Sequence, residues 1–190
     1  REALRRLESA GLIRRPPRAK RMVVSRPAAA QLASRMRHAL VLHDVTFVAV
    51  WEAMMVIEPE VAALAAMRRT QSDLAALVAA HEAFKASPQG DPHAVEIVAS
   101  FFELLGAAAR NQVLMLAKQS LTRALAPSLL KMIDTVPQAR SRIADAQRRI
   151  IVSLREKNVE EARRWMSKHV RDFKRGYEVA GISPDTPITA

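Results

Sequence analysis

Apolar positions recur at helical spacing through most of the chain, and breakers divide them into segments. Over residues 41–57, Val45, Val48, Trp51, Met55 and Val56 share a helical face, and Pro59 is expected to break or kink that helix. Residues 60–68 then continue as a short helix. Thr70 followed by Asp73 has the spacing of a capping box, opening a helix that reaches about Lys85 before the loop Ser87-Pro88-Gln89-Gly90. Asp91 or Pro92 starts a long apolar helix to about Ala109, and the next, from Asn111 or Gln112, ends before Pro127. Another spans about 137–156. Asn158 caps the last, which runs to about Arg175, with Glu160 and Glu161 at its start and Lys168, Arg171, Lys174 and Arg175 near its end, both matched to the helix dipole. Residues 39–180 therefore predict an all-α body, an antiparallel bundle of six or seven helices. The tail 181–190, with two prolines, is expected to fray.

The N-terminal stretch has a different grammar. Leu4 and Leu7 share one helical face, Arg5 and Arg6 another, and Gly11 is placed to stop the helix. Leu12-Ile13 and Met22-Val23-Val24 are short β-like runs on either side of a basic loop that turns at Pro16-Pro17. A helix, a turn and two short strands make the rear part of a winged helix-turn-helix over 1–27. Pro27 to Ala33 reads as linker, and a linker is expected over 28–38. With neither N-cap nor initiator Met, the chain is expected to start inside an element.

Charge sharpens this division. Of 190 residues, 49% are hydrophobic and 26% charged, enough for one domain with a core, and the formal net charge is +11. Eleven cations and two acids lie between Arg1 and His38, so nearly all of the excess sits in the first fifth of the chain. A basic arm on a near-neutral body points to an anionic partner. The absence of cysteine excludes disulfides, thiol nucleophiles and thiolate zinc sites. Five glycines and no GxGxxG or GxxxxGK spacing exclude a phosphate-binding loop. No apolar run reaches the length of a membrane span and no signal peptide is seen, so a cytoplasmic protein with no membrane partner is expected. No nucleophile elbow is present, and Glu58 and Glu60, flanking Pro59, read as structural; no enzyme is expected.

The residues also resemble a known family. Arg1 to Leu12, REALRRLESAGL, looks like the end of the recognition helix of GntR-family bacterial transcription regulators. The body looks like the FCD ligand-binding domain of the FadR subfamily, carried by WEAMMVIEPEVAALAA (51–66), FFELLGAAARNQVL (101–114) and RIIVSLREKNVEEARRWMSKHV (149–170). The resemblance implies a dimeric DNA-binding regulator whose operator affinity changes when a small effector binds the helical domain. It places Arg1 at a position that reaches DNA, with Arg5, Arg14, Arg15, Arg18, Lys20 and Arg21 as further DNA-binding candidates acting on phosphate. The wing lacks the family's usual glycine in Arg18-Ala19-Lys20-Arg21. Much of the base readout in such proteins precedes Arg1, so the double-stranded operator is expected to need residues that this chain lacks.

The family's metal site, one aspartate and three histidines, falls here on Val98, Phe102, Gln147 and His169. A single imidazole is not a metal site, so no metal or other cofactor is expected. The arginine that meets effector carboxylates is replaced in the Met54-Met55 region. Two outcomes follow. Either an apolar pocket takes a small apolar or amphipathic effector, oriented by Asn111, Gln147 and His169, or Phe102 and the methionines fill the space and the domain serves only for dimerisation. His81 and Glu82 are assigned to a solvent face, and His38, His43 and His93 to the surface. Trp51 and Trp165 read as core or interface anchors. The competing function is a basic helical interaction protein that docks its arm on an acidic partner or anionic surface.

Overall fold

The computed structural model describes residues 1–27 and 29–188. Ala28, the first residue of the expected linker, and Thr189 and Ala190 of the expected tail lie outside the described residues. A short helix α1 (Glu2–Ser9) and an antiparallel hairpin of β1 (Ile13–Arg14) and β2 (Val23–Val24) precede eight helices. These are α2 (Ala29–Leu42), α3 (Phe47–Arg68), α4 (Gln71–Ala86), α5 (Ala94–Ala108), α6 (Gln112–Ala124), α7 (Ala126–Thr135), α8 (Ala139–Arg155) and α9 (Val159–Val179). The all-α body is thus as the periodicity predicts: among the described residues of 39–180, α3 to α9 make seven helices, and α2 enters it from the expected linker.

Local chemistry explains most boundaries. Thr70 and Asp73 form a complete capping box at the start of α4. Asn111 and Asn158 cap α6 and α9 through their side-chain oxygens. The helix α7 escaped the sequence reading because Pro127 looked like a stop. It sits instead in the first turn, where a missing N–H has no intrahelical partner to lose, and Leu125 ends α6 and begins α7.

Three other expectations are corrected. Pro59 lies inside one continuous helix, α3, rather than ending it. The face around it is buried, and Ala62, Ala63, Ala65 and Ala66 let α3 approach its neighbours closely, so tertiary packing outweighs the lost hydrogen bond. The break falls earlier, between α2 and α3, where Asp44 adopts a left-handed conformation (φ 50°) and Thr46 caps α3. The expected linker is helical from Ala29, and α2 packs along α6. The tail does not fray over 182–188. Phe47 N–H donates to Thr186 O (3.0 Å) and Val48 N–H to Pro184 O (2.9 Å), so the tail serves two orphan donors of α3, and Ile188 is buried.

At the centre α3 packs most extensively on α9 and also meets α5, α6 and α8. The main core gathers Val61 and Ala65, Leu77 and Phe84, Phe101 and Leu105, Ile150 and Leu154, with Met166 from α9. A smaller core forms where Phe47 stacks on Tyr177, centroids 3.9 Å apart, beside Leu125 and Ile188. Gly176 permits a close approach here: a Cβ at that position would stand 2.3 Å from Met132 Sδ of α7. No helix among the described residues is long and apolar enough to cross a membrane.

Candidate functional site

Between the two cores the helices leave a cavity of about 400 Å³, near the lower end of the range for small-molecule pockets. Met54 and Glu58 line it from α3, Val98 and Phe102 from α5, Thr122 from α6, and Leu129 and Met132 from α7. Ile143 closes it from α8, and Met166, His169 and Phe173 from α9. Most of these side chains are apolar because they are the inward stripes of amphipathic helices, spaced three or four residues apart. The cavity is open rather than filled: Phe102 and Met54 form wall, not plug. Arg142 and Arg175, both exposed, border it toward solvent together with Asp172.

His169 is held by Phe102, its ring stacked 5.1 Å away between centroids at 17°. Burial pushes the imidazole down to about 4, against the opposing pull of Asp172, so the ring is neutral near pH 7. Opposite polarity enters from α3 and α6. Glu58 is 1% exposed and Lys118 2%, and Lys118 Nζ stands 3.4 Å from Glu58 Oε1 while donating to the Phe102 carbonyl at 2.9 Å. Burial raises the Glu58 carboxyl above the ordinary carboxylate range, and the Lys118 ammonium only partly offsets this. Neither Glu58 oxygen accepts a formed hydrogen bond from the protein, and Thr122 Oγ1 is likewise buried without a partner.

Of the seven positions singled out for a pocket, Met54, Val98, Phe102 and His169 line the cavity. Met55 packs against the core beside it, and Asn111 is engaged in capping α6. Gln147 is fully buried but turned elsewhere: its Oε1 pairs with His81 Nδ1 at 3.1 Å. His81 is therefore a buried residue of α4, not one on a solvent face. Glu58 was missed. Its sequence neighbour Glu60 is indeed structural, held at the surface by Arg163 (2.7 Å), but Glu58 points the other way. An acid in the otherwise apolar stretch Met54 to Ala66, shared only with Glu60, was the signal available.

A divalent cation does not fit this donor set. Val98 and Phe102 offer no ligand atom, Gln147 is committed to His81, and His169 is one imidazole. No cluster of three or more His, Asp or Glu suited to a metal is found among the described residues.

At the other end, Arg1, Arg5, Arg14, Arg15, Arg18, Lys20 and Arg21 are all exposed. The loop between the strands is shaped by Arg15, which donates to Lys20 O (2.8 Å), and by Arg18 in a left-handed conformation (φ 64°), the one that glycine would adopt without strain. The bundle meets the N-terminal unit at the end of α1 and at Gly11, just before β1. Arg35 of α2 donates to Ser9 O at 3.0 Å, and a Cβ at Gly11 (φ 74°) would meet Gln31 Oε1 at 2.5 Å.

Comparison with known proteins adds to this geometry. The FCD domain family matches residues 49–172. No curated protein matches the chain. Among solved structures, the fold is similar to Streptococcus agalactiae GntR, with a TM-score of 0.65 at 20% identity over 92% of this chain and 79% of that one. It is also similar to a transcriptional regulator (GntR family member) from Pseudomonas syringae, with a TM-score of 0.60 at 19% identity over 95% and 70% of the two chains. Escherichia coli McbR/YncC gives a TM-score of 0.60 at 19% identity over 94% and 83%. At these identities the likeness is one of fold.

Proposed function

Because the chain belongs to the FCD domain family, we propose that it is a GntR-type transcription regulator whose grip on a DNA operator responds to a small effector held in the helical body. The observation that carries this reading is the cavity of about 400 Å³ inside the matched body, on the same chain as a hairpin whose exposed face is cationic. It is a binding protein rather than an enzyme. Acting in the cytoplasm as a homodimer, it presents two such arms to a pseudo-palindromic site. The effector is apolar or amphipathic, and the site works without the family metal, since the ligand positions carry Val98, Phe102 and an otherwise committed Gln147.

A physical route joins the two ends. Thr122 and Leu125 at the end of α6 border the cavity, α2 packs along α6, and Arg35 of α2 holds the end of α1, which leads into the hairpin. An occupant that shifts α6 shifts the seat of α2, and with it the angle of the arm. For this to couple the sites, the occupant must bind the two arrangements unequally.

The test is selection of duplex fragments from the source genome by the full-length protein at moderate salt. The reading expects one or a few palindromic promoter sites, with affinity falling steeply as salt rises. Binding that never prefers one sequence over random duplex, or that is matched by anionic vesicles, would refute it.

A further inference from the structure

The cavity wall carries an unmet demand for a hydrogen bond. Glu58 is all but completely buried and borders the cavity; Lys118 Nζ stands at ion-pair distance, 3.4 Å from Oε1, but neither carboxylate oxygen accepts a well-formed hydrogen bond. Thr122, one helical turn beyond Lys118 on α6, brings a buried hydroxyl to the same cavity, also without a partner. Buried polar atoms are normally hydrogen-bonded, and two side chains on the wall of a single cavity whose oxygens are not are what a ligand's polar group would satisfy. Met54, one turn before Glu58 on α3, makes the adjoining wall apolar.

We propose that the occupant of this cavity is a neutral, largely apolar molecule bearing a hydroxyl, which donates to Glu58 and accepts from Thr122. The proposal rests on reading the cavity as an effector site. Charge selects among the possible headgroups. A carboxylate at this wall would face the carboxylate of Glu58. An ammonium would be the second cation on a group that already has the Lys118 ammonium 3.4 Å away. A hydroxyl adds no charge to a region out of water, where an unbalanced one is costly. The remaining titratable neighbour, His169, is neutral near pH 7 and calls for no counter-charge. Arg142, Arg175 and Asp172 stand toward the solvent side, where screening weakens any pull on an anionic headgroup.

The experiment is calorimetric titration of the protein near pH 7 with decanol, decanoate and decylammonium, which share one apolar chain and differ in headgroup. Decanol is expected to bind about tenfold tighter than either ion, the size of one hydrogen bond to a charged acceptor. Thr122→Val should weaken decanol several-fold, and Glu58→Leu should abolish the preference for it. Should Glu58→Leu fail to fold with Lys118 stranded, the Thr122→Val result and the headgroup order decide. Equal binding of all three, binding of none, or a preference for decanoate or decylammonium overturns the proposal. A preference for decanoate would move headgroup selection to Arg142 and Arg175. Selection of operator fragments is a separate readout: sequence-specific DNA binding without decanol selectivity defeats this inference alone, and decanol selectivity without sequence-specific DNA binding defeats the regulator reading.

Discussion

Replacing His169 by asparagine should change how the protein's stability depends on pH, and the size of the change follows from the cavity wall. Burial against Phe102 holds the imidazole at about 4, below its ordinary value of about 6.5. Between those two values the unfolded chain binds a proton that the folded one refuses, so this contribution to stability is intact above about pH 6.5 and is lost as pH falls toward about 4. From about pH 7 to pH 5, the wild type should lose about 2 kcal/mol that His169→Asn does not lose. That figure is a ceiling, because the ring borders the cavity and is only half-buried. Other titrating groups cancel in the difference between the two proteins. Glu58 in particular has the opposite sign: its raised carboxyl makes folding more favourable as pH falls through its titration. Asp172, which pulls the imidazole back toward protonation, is present in both. Urea unfolding of both proteins at several pH values measures the difference. Parallel stability curves would show that His169 is not desolvated in the folded protein and would refute the argument.

Two further predictions concern the same cavity. Lys118→Met strands the Glu58 carboxylate and should cost about 3–5 kcal/mol in urea unfolding near pH 7, less at acid pH where Glu58 takes a proton, with Glu58→Gln added to Lys118→Met recovering most of the loss. Zinc, nickel and manganese should leave the melting temperature of chelator-treated protein unchanged, and elemental analysis of protein prepared without metal-affinity resin should find no near-stoichiometric metal; either result reversed would overturn the reading of Val98, Phe102 and Gln147.

What could be read in the chain and what could not divide along the range of the interactions involved. The capping box at Thr70 and Asp73, the caps at Asn111 and Asn158 and the stop at Gly11 depend on atoms a few residues apart, and each stands where the sequence puts it. Prolines were harder, because their meaning depends on position within a helix that is not yet known. Pro127 begins α7 and Pro59 rides inside α3, where buried alanines on the same face supply the compensating contacts. Val98, Phe102 and His169, singled out through the family resemblance, do line the cavity. Gln147 lies on α8, and no register shows that His81, sixty-six residues earlier, claims its side chain. Glu58 shows the limit most clearly. Next to a proline and two residues from Glu60, it reads as half of a surface pair, and only the fold brings Lys118 from α6 to meet it. Glu60 found Arg163 at the surface, where water would have served it nearly as well. Glu58, buried, has a cation at ion-pair distance and a cavity beside it, and that difference in surroundings, invisible in a run of letters, makes one of two acids flanking Pro59 a scaffold at the surface and the other part of the cavity wall.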